Sequence, residues 1–259
     1  AAARKELSKL KPAFASVTFG AGGSTQEGTY QTVKAIIEED RIDAAPHISC
    51  ISTNRDILAK MLEEYRQLGV KRLVTLRGDT PSGYGMSEHN ELRYANELVE
   101  FIRQKTGDYY TIEVAAYPEF HPQASSAKAD LLNFKRKVEA GADSAITQYF
   151  YNPEAYFRFI EDCQSMGLDI PIIPGIMPIT NYKQLARFSD ACGAEIPRWI
   201  RKRLESYGDD LESIRQFGLD VVTRLCEKLL DGGAPGLHFY SMNRSEPVRT
   251  IWNNLNLSD

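Results

Sequence analysis

The chain has 259 residues, 42% of them hydrophobic and 25% charged, with a formal net charge of −4. That is the make-up of an ordinary globular chain, and its mild acidity excludes the basic face that sequence-independent nucleic-acid binding needs. No apolar run approaches the ~20 residues of a membrane span, no signal-peptide pattern opens the chain, and Cys50, Cys163, Cys192 and Cys226 form no CxxC pair, which points to free thiols in a reducing cytoplasm and gives no zinc signature.

Residues 1–10 (AAARKELSKL) read as the end of a helix, with no initiating Met. FASVTF (14–19) reads as a first visible strand, followed by a Gly-rich loop and a helix with Val33, Ile36 and Ile37 on its apolar stripe. AAPHISCI (44–51) is the second strand; Thr53 or Asn54 caps the helix after it, and Gly69 closes that helix. RLVTLRGDTP (72–81) starts as an apolar third strand and ends abruptly in Arg77-Gly78-Asp79. TIEVAAYP (111–118), SAITQYF (144–150), PIIPGIM (171–177) and GLHFYSM (236–242) read as further strands. Helices with Asn152-Pro153, Asn181 and Ser245 at their starts intervene, and 197–232 reads as extra helix.

Strands alternate with helices and no two are joined by a hairpin-sized loop, so the pattern means βαβ units and a parallel sheet. Seven strands are visible. An open doubly wound sheet takes seven, whereas a (β/α)₈ barrel takes eight and runs to about 250 residues. The helix-like start places a first β-strand before Ala1. The expected fold is therefore α/β, one (β/α)₈ TIM barrel domain over 1–259, with that first strand missing from this chain.

In a parallel barrel the chemistry sits at the C-terminal strand ends. Those ends supply Thr18, His47 with Ser49, Arg77 with Asp79, Tyr117 with Glu119 and His121, Gln148, Pro174-Gly175, and Tyr240 with Asn243 and Arg244. The N-terminal ends offer mostly turn residues. Taken alone, Arg77-Gly78-Asp79 fits a ligand site and a surface turn with a local ion pair equally well. Lys71 stands at the wrong end of its strand for a Schiff-base aldolase. No GxSxG elbow, GxGxxG or P-loop occurs, and no spacing of Asp79, Glu119, His47 and His121 demands a metal. A pocket with scattered hydrogen-bonding groups and aromatics suits a large, flat cofactor. Asp130, Asn133 and Lys137 recur on one helix face, beside Arg136; they could meet a diphosphate and ribose, but spacing alone favours a solvated face.

The chain resembles the bacterial-type methylenetetrahydrofolate reductases over essentially its whole length. The motifs are SVTFG (16–20), AAPH (44–47), LRGD (76–79) followed by Pro81, AAYPE (115–119) with His121-Pro122, ADLLN (129–133), KRK (135–137), AITQ (145–148), IPGI (173–176) and HFY (238–240) with Asn243-Arg244. The resemblance implies an FAD-containing (β/α)₈ barrel. NADH or NADPH reduces the flavin, and 5,10-methylenetetrahydrofolate then accepts the hydride to give 5-methyltetrahydrofolate, a ping-pong reaction of one-carbon metabolism that feeds methionine synthesis.

By the same resemblance, FAD is held by Thr18, Phe19, Ala21, His47, Leu76, Arg77, Gly78, Asp79, Ala95, Ala115, Tyr117, His121, Ala124, Asp130, Asn133, Arg136 and Lys137. Thr18, Asp79, Gln148, Gln184, Phe188 and Arg244 meet the folate or the nicotinamide nucleotide. Phe188 stacks on a flat ring, although its spacing from Leu185 also reads as a core position. Arg244 offers a planar fork to a folate carboxylate. Asp79 is the catalytic residue, a fixed negative charge that stabilises a cationic folate iminium.

The family's general acid is a Glu on the first barrel strand, in a Phe-Glu-Phe-Phe-Pro-like motif that does not occur here; its role does not pass to Glu119, whose match lies beside the flavin. The alternative is thus a fragment that binds flavin and folate with impaired turnover, and a more distant one is an unrelated metal-dependent barrel lyase. Small-molecule substrates, a cytoplasmic location and a homo-oligomer without nucleic-acid or membrane partners complete the expectation.

Overall fold

The computed structural model describes residues 2–19, 23–51, 53–78 and 91–257, with side chains from residue 27 onward in the second stretch. Its elements, in order, are α1 (Ala2–Ser8), β1 (Ala15–Val17), α2 (Gly23–Ala35) running into a π-helical turn at Ile36–Asp40, β2 (Ala44–Ser49), α3 (Arg55–Gln67) and β3 (Arg72–Leu76). Next come α4 (Ala95–Thr106), β4 (Thr111–Ala116), α5 (Ala127–Glu139), β5 (Ser144–Thr147), α6 (Pro153–Ser165), β6 (Ile172–Ile173) and β7 (Gly175–Ile176). The chain closes with α7 (Tyr182–Cys192), α8 (Arg198–Tyr207), α9 (Leu211–Asp231), β8 (His238–Phe239) and α10 (Glu246–Asn254).

The expected α/β pattern with a parallel sheet is present. One sheet has the order β1-β2-β3-β4-β5-β6, and β7 pairs with β8 in a second sheet. The register runs parallel through Val17↔Pro46, His47↔Val74 and Val74↔Glu113, so each strand lies beside its neighbour in sequence, as crossover helices require. The expectation that the seven visible strands share one sheet is corrected. The run 171–177 is not one strand: Pro174 has no N–H to give to a ladder and divides it into β6 and β7. The carbonyl of Pro174 accepts from His238 N at 3.0 Å, so the chain changes partners there. Among the described residues the larger sheet stops at six strands, and a closed eight-stranded barrel is not seen.

Helix starts follow local chemistry. Asn54, not Thr53, caps α3, its Oδ1 accepting from Ile57 N at 2.8 Å; Thr53 instead donates back to the Ser49 carbonyl. Asn181 caps α7 in the same way, through Gln184 N at 2.9 Å, and Asn152 precedes Pro153 at the first turn of α6. Ser245 differs from expectation. It is itself helical, with φ −85° and ψ −35°, and makes no side-chain cap. The expected extra helix is two helices, α8 and α9, the second capped by Asp210 through Ser213 N.

The chain packs as two compact units. The first is Lys11–Ala115 with Arg136–Ala145; the second is Ala1–Leu10, Ala116–Lys135 and Ile146–Asp259. The first unit buries Ile48, Leu73, Val74, Ile112 and Val114 from its strands against Leu58, Leu62, Leu98 and Ile102 from α3 and α4. Each such side chain contributes about 1.5–3 kcal/mol. Within it Glu113 is fully buried and ion-paired to Arg72, whose guanidinium also lies over the Phe14 ring at 4.8 Å. The second unit buries Ile176, Leu185, Ile200, Leu204, Ile214, Val222, Leu229 and Ile251, with an aromatic layer of Tyr149, Phe150, Tyr156 and Phe159.

Candidate functional site

In the first unit the expected residues gather where β2 and β3 end. Their pairing continues past the strands, with Cys50 N bonded to the Leu76 carbonyl and Ile51 N to the Arg77 carbonyl. Ser49 Oγ also donates to the Arg77 carbonyl at 2.9 Å. Gly78 then turns with φ +89°, and a Cβ there would lie 2.1 Å from Ser49 Oγ. Leu76, Arg77 and His47 are half-buried around this turn, and Arg77 Nε folds back toward the Gly78 carbonyl at 3.3 Å. Asp79 and Ala21 lie outside the described residues.

Thr18 is exposed and Phe19 half-buried after β1; the Thr18 carbonyl accepts from Thr29. Ala95 is the first residue of α4, where the Glu97 carboxylate reaches back to accept from Tyr94 N at 3.2 Å. Ala115 ends β4 within this unit, and its carbonyl is taken by Lys137 Nζ. Lys137 is therefore a strand-end anchor and not a plain solvated lysine; Arg136 beside it is exposed.

The second unit holds the loop from Tyr117 to Ala124. The Tyr117 ring meets His121 edge-on, with centroids 4.7 Å apart. His121 Nδ1 accepts from Gln123 N at 3.0 Å, which puts the neutral ring's proton on Nε2. Asp130, on α5, accepts from His121 N at 2.9 Å, and Ala124 N bonds the His121 carbonyl. Asp130 thus shapes the loop, whereas Asn133 is exposed. Phe120, between Glu119 and His121, has φ +64° and is 48% exposed.

The same unit contains a groove lined by Gln184 and Phe188 from α7, by Tyr240 and Arg244 from the segment after β8, and by Met177, Pro178 and Pro247. Phe188 is half-buried and Leu185 buried, and both line the groove, so the pair forms its apolar wall with Leu185 the deeper of the two. Arg244 follows two left-handed residues, Met242 (φ +49°) and Asn243 (φ +57°). Such conformations persist where surrounding contacts over-determine them, and Arg244 Nη1 donates to Thr180 Oγ1 at 3.2 Å. Gln148 is not in the groove lining; its Oε1 accepts from Tyr149 N at 3.0 Å.

Tyr240 was legible only as a strand-end aromatic, and its part in the groove wall depends on two contacts. Its hydroxyl donates to the Thr147 carbonyl at 2.7 Å, and its ring lies where a Cβ on Gly175 would be, at 2.6 Å. Burial pushes its phenol well above the usual range and holds neighbouring His238 down to about 4. Glu119 is the other residue without an assigned contact. Burial raises its carboxyl pKa, and the Glu195 N–H, 2.8 Å from Oε2, opposes that rise. A groove in the first unit, lined by Arg55, Glu91 and Phe101, contains none of the expected contact residues.

Residues 1–256 match the family model for methylenetetrahydrofolate reductase. The chain belongs to the methylenetetrahydrofolate reductase family. It is 42% identical to the 5,10-methylenetetrahydrofolate reductase of Salmonella typhimurium, an alignment that spans 96% of this chain and 82% of that one. It is 41% identical to the Escherichia coli enzyme of the same name over the same shares. Methylenetetrahydrofolate reductase (NADH) 1 of Zea mays is 36% identical over 95% of this chain and 43% of its own. A solved structure from Clostridium thermocellum, described as an uncharacterized protein that binds two copies of 5-methyl-5,6,7,8-tetrahydrofolic acid, matches 98% of this chain with a TM-score of 0.63 at 18% identity, which is a likeness of fold. Among the described residues no His, Cys, Asp and Glu cluster could hold a metal ion, and no helix is long and apolar enough to cross a membrane.

Proposed function

We propose that this protein reduces 5,10-methylenetetrahydrofolate to 5-methyltetrahydrofolate with NADH or NADPH as hydride donor, through bound FAD, as one cytoplasmic (β/α)₈ domain that self-associates. The observation that carries the reading is the groove. It brings Gln184 and Phe188 together with Arg244, from an element far away in sequence, and all three are residues for which family resemblance implies folate or nicotinamide contact. Phe188 offers a face for a pterin, aminobenzoate or adenine ring. Arg244, held by Thr180, offers its fork to the folate carboxylate.

The residues present fit FAD. The Tyr117–Ala124 loop puts an imidazole proton on Nε2 beside an aromatic ring, a donor suited to a flavin carbonyl or a phosphate oxygen. The backbone at Gly78 has no room for a side chain. We assign to FAD the seventeen positions matched by motif, from Thr18 to Lys137, and to folate or nicotinamide Thr18, Asp79, Gln148, Gln184, Phe188 and Arg244. When bound, FAD supplies the hydride relay between nicotinamide and folate. Asp79 holds a fixed negative charge that favours the cationic folate iminium over the closed ring. The reading of a binding protein with impaired turnover makes a different prediction in the same assay.

The test is anaerobic absorbance of the purified chain. Yellow protein that bleaches with NADH or NADPH and recovers its colour on adding methylenetetrahydrofolate supports the reading. Bleaching without recovery favours the impaired form, and colourless protein that takes up no FAD refutes it. Asp79→Asn is expected to slow recovery far more than bleaching; equal slowing removes the proposed role of Asp79.

A further inference from the structure

Helix α7 presents Gln184 and Phe188 to the groove at one end, and its other end is gripped by residues to which no ligand contact is assigned. Tyr149, buried just past β5, has its hydroxyl 3.0 Å from Ser189 Oγ, one residue beyond Phe188. The Cys192 thiol lies 3.5 Å from the same hydroxyl. Beyond the helix, Glu195 N donates to Glu119 Oε2 at 2.8 Å. Pro122 packs on Gly193 so closely that a Cβ there would lie 3.3 Å from its Cδ. The two latter contacts come from one loop, the one that carries Tyr117, His121 and Ala124.

That loop is built to aim Glu119 inward. Phe120 takes a left-handed conformation that a bulky side chain rarely adopts, at φ +64°, and turns its ring outward. Strain of this kind survives only where flanking contacts over-determine it. The flanking contacts are Glu119 to Glu195 on one side and His121 N to Asp130 on the other.

We infer that Glu119 is a positioning residue: its carboxylate latches the loop bearing Tyr117 and His121 to helix α7, so that occupancy of the loop and occupancy of the Gln184–Phe188 groove are coupled. The inference rests on the functional reading above for the identity of the two ligands. The latch needs an oxygen acceptor at this position and not a proton, because its partner is a backbone N–H. A carboxylate accepting a backbone N–H is a charge-assisted bond, and an amide oxygen accepts the same bond more weakly.

The experiment compares full-length wild type, Glu119→Ala and Glu119→Gln by amide hydrogen exchange and by titration with 5-methyltetrahydrofolate. Glu119→Ala is expected to speed exchange in 117–124 and 189–195 together and to weaken 5-methyltetrahydrofolate binding about five- to tenfold. Glu119→Gln is expected to restore both to within about twofold, a rescue that a proton-transferring role would not allow. Pro122→Ala, which loosens the second contact of the loop, moves both readouts the same way by about twofold and serves if Glu119→Ala does not fold. Faster exchange confined to 117–124, unchanged folate binding in Glu119→Ala, or a Gln variant as impaired as Ala would each overturn the latch. Wild-type protein that binds no 5-methyltetrahydrofolate would instead overturn the functional reading, and the exchange comparison would still decide whether Glu119 joins the two segments.

Discussion

Gly78, just past β3 in the first unit, and Gly175, the first residue of β7 in the second, are glycines for different reasons. Gly78 is demanded twice: its φ of +89° suits no L side chain, and a Cβ would meet Ser49 Oγ at 2.1 Å. Gly175 has an unexceptional backbone, but a Cβ would strike the Thr147 carbonyl at 2.1 Å and the Tyr240 ring at 2.6 Å. A side-chain hydroxyl can be removed by mutation, whereas a backbone carbonyl cannot. The same residue type therefore marks a conformational demand in one place and a space demand in the other.

The largest effect that separates the two is expected from Gly175→Ala. The collision with backbone leaves no local relief, and a loss of about 3–5 kcal/mol is expected in denaturant unfolding. No substitution of Tyr240 should recover it fully, since the Thr147 carbonyl stays in place; full recovery in Gly175→Ala/Tyr240→Ala would refute the space argument. Gly78→Ala is expected to cost about 3 kcal/mol. In a Ser49→Ala background the clash with Oγ disappears, and about 1 kcal/mol of conformational strain remains together with tight 3.3 Å approaches to Ile51 Cβ and the Cβ of residue 49. A cost that does not depend on residue 49 would show that φ alone fixes this glycine.

The strand next to Gly175 also answers to pH. Burial holds His238 at about 4 against an ordinary 6.5. The folded form disfavours the charged ring, so this contribution is fully present above pH 6.5 and is lost as pH falls through 6.5 toward 4. The loss is about 2 kcal/mol once the partial exposure of the residue is allowed for. Stability curves at pH 7 and 4.5 for wild type and His238→Gln should differ by that amount more in the wild type; parallel curves would contradict the assignment. The smallest effect on stability is expected at the groove. Phe188→Ala should cost under about 1 kcal/mol in unfolding yet weaken folate binding about tenfold, because its ring faces the groove and not the core. A cost of 3 kcal/mol or so, the range of a buried Phe truncation, would return Phe188 to the core reading that its spacing from Leu185 also allows.

The elements were largely legible because their signals are local. Asn54, Asn181 and Asn152-Pro153 start helices with groups that reach the first turn, and the apolar runs of β2, β3 and β4 could be buried only as strands. The failures have local causes too. Ser245 reads as a cap but is already helical. PIIPGIM reads as one strand because its apolar pattern is continuous, yet the missing N–H of Pro174 ends one ladder and its carbonyl opens another. Motif matching pointed to Gln184 and Arg244, and the groove joins them; it matched Glu119 to a place beside the flavin but could not reveal its partner, a backbone amide that carries no residue signature.

The sequence by itself determined the alternation of strands and helices, the family, and the polar character of the strand ends, since all three depend on residue type and short-range order. Only the tertiary structure decided that the described strands divide into sheets of six and two, that Phe188 and the deeper Leu185 together line a groove, and that Glu119 meets the amide of Glu195 just beyond α7. The physical reason is that each of these depends on which backbone carbonyl, amide or ring comes within contact distance across long stretches of chain.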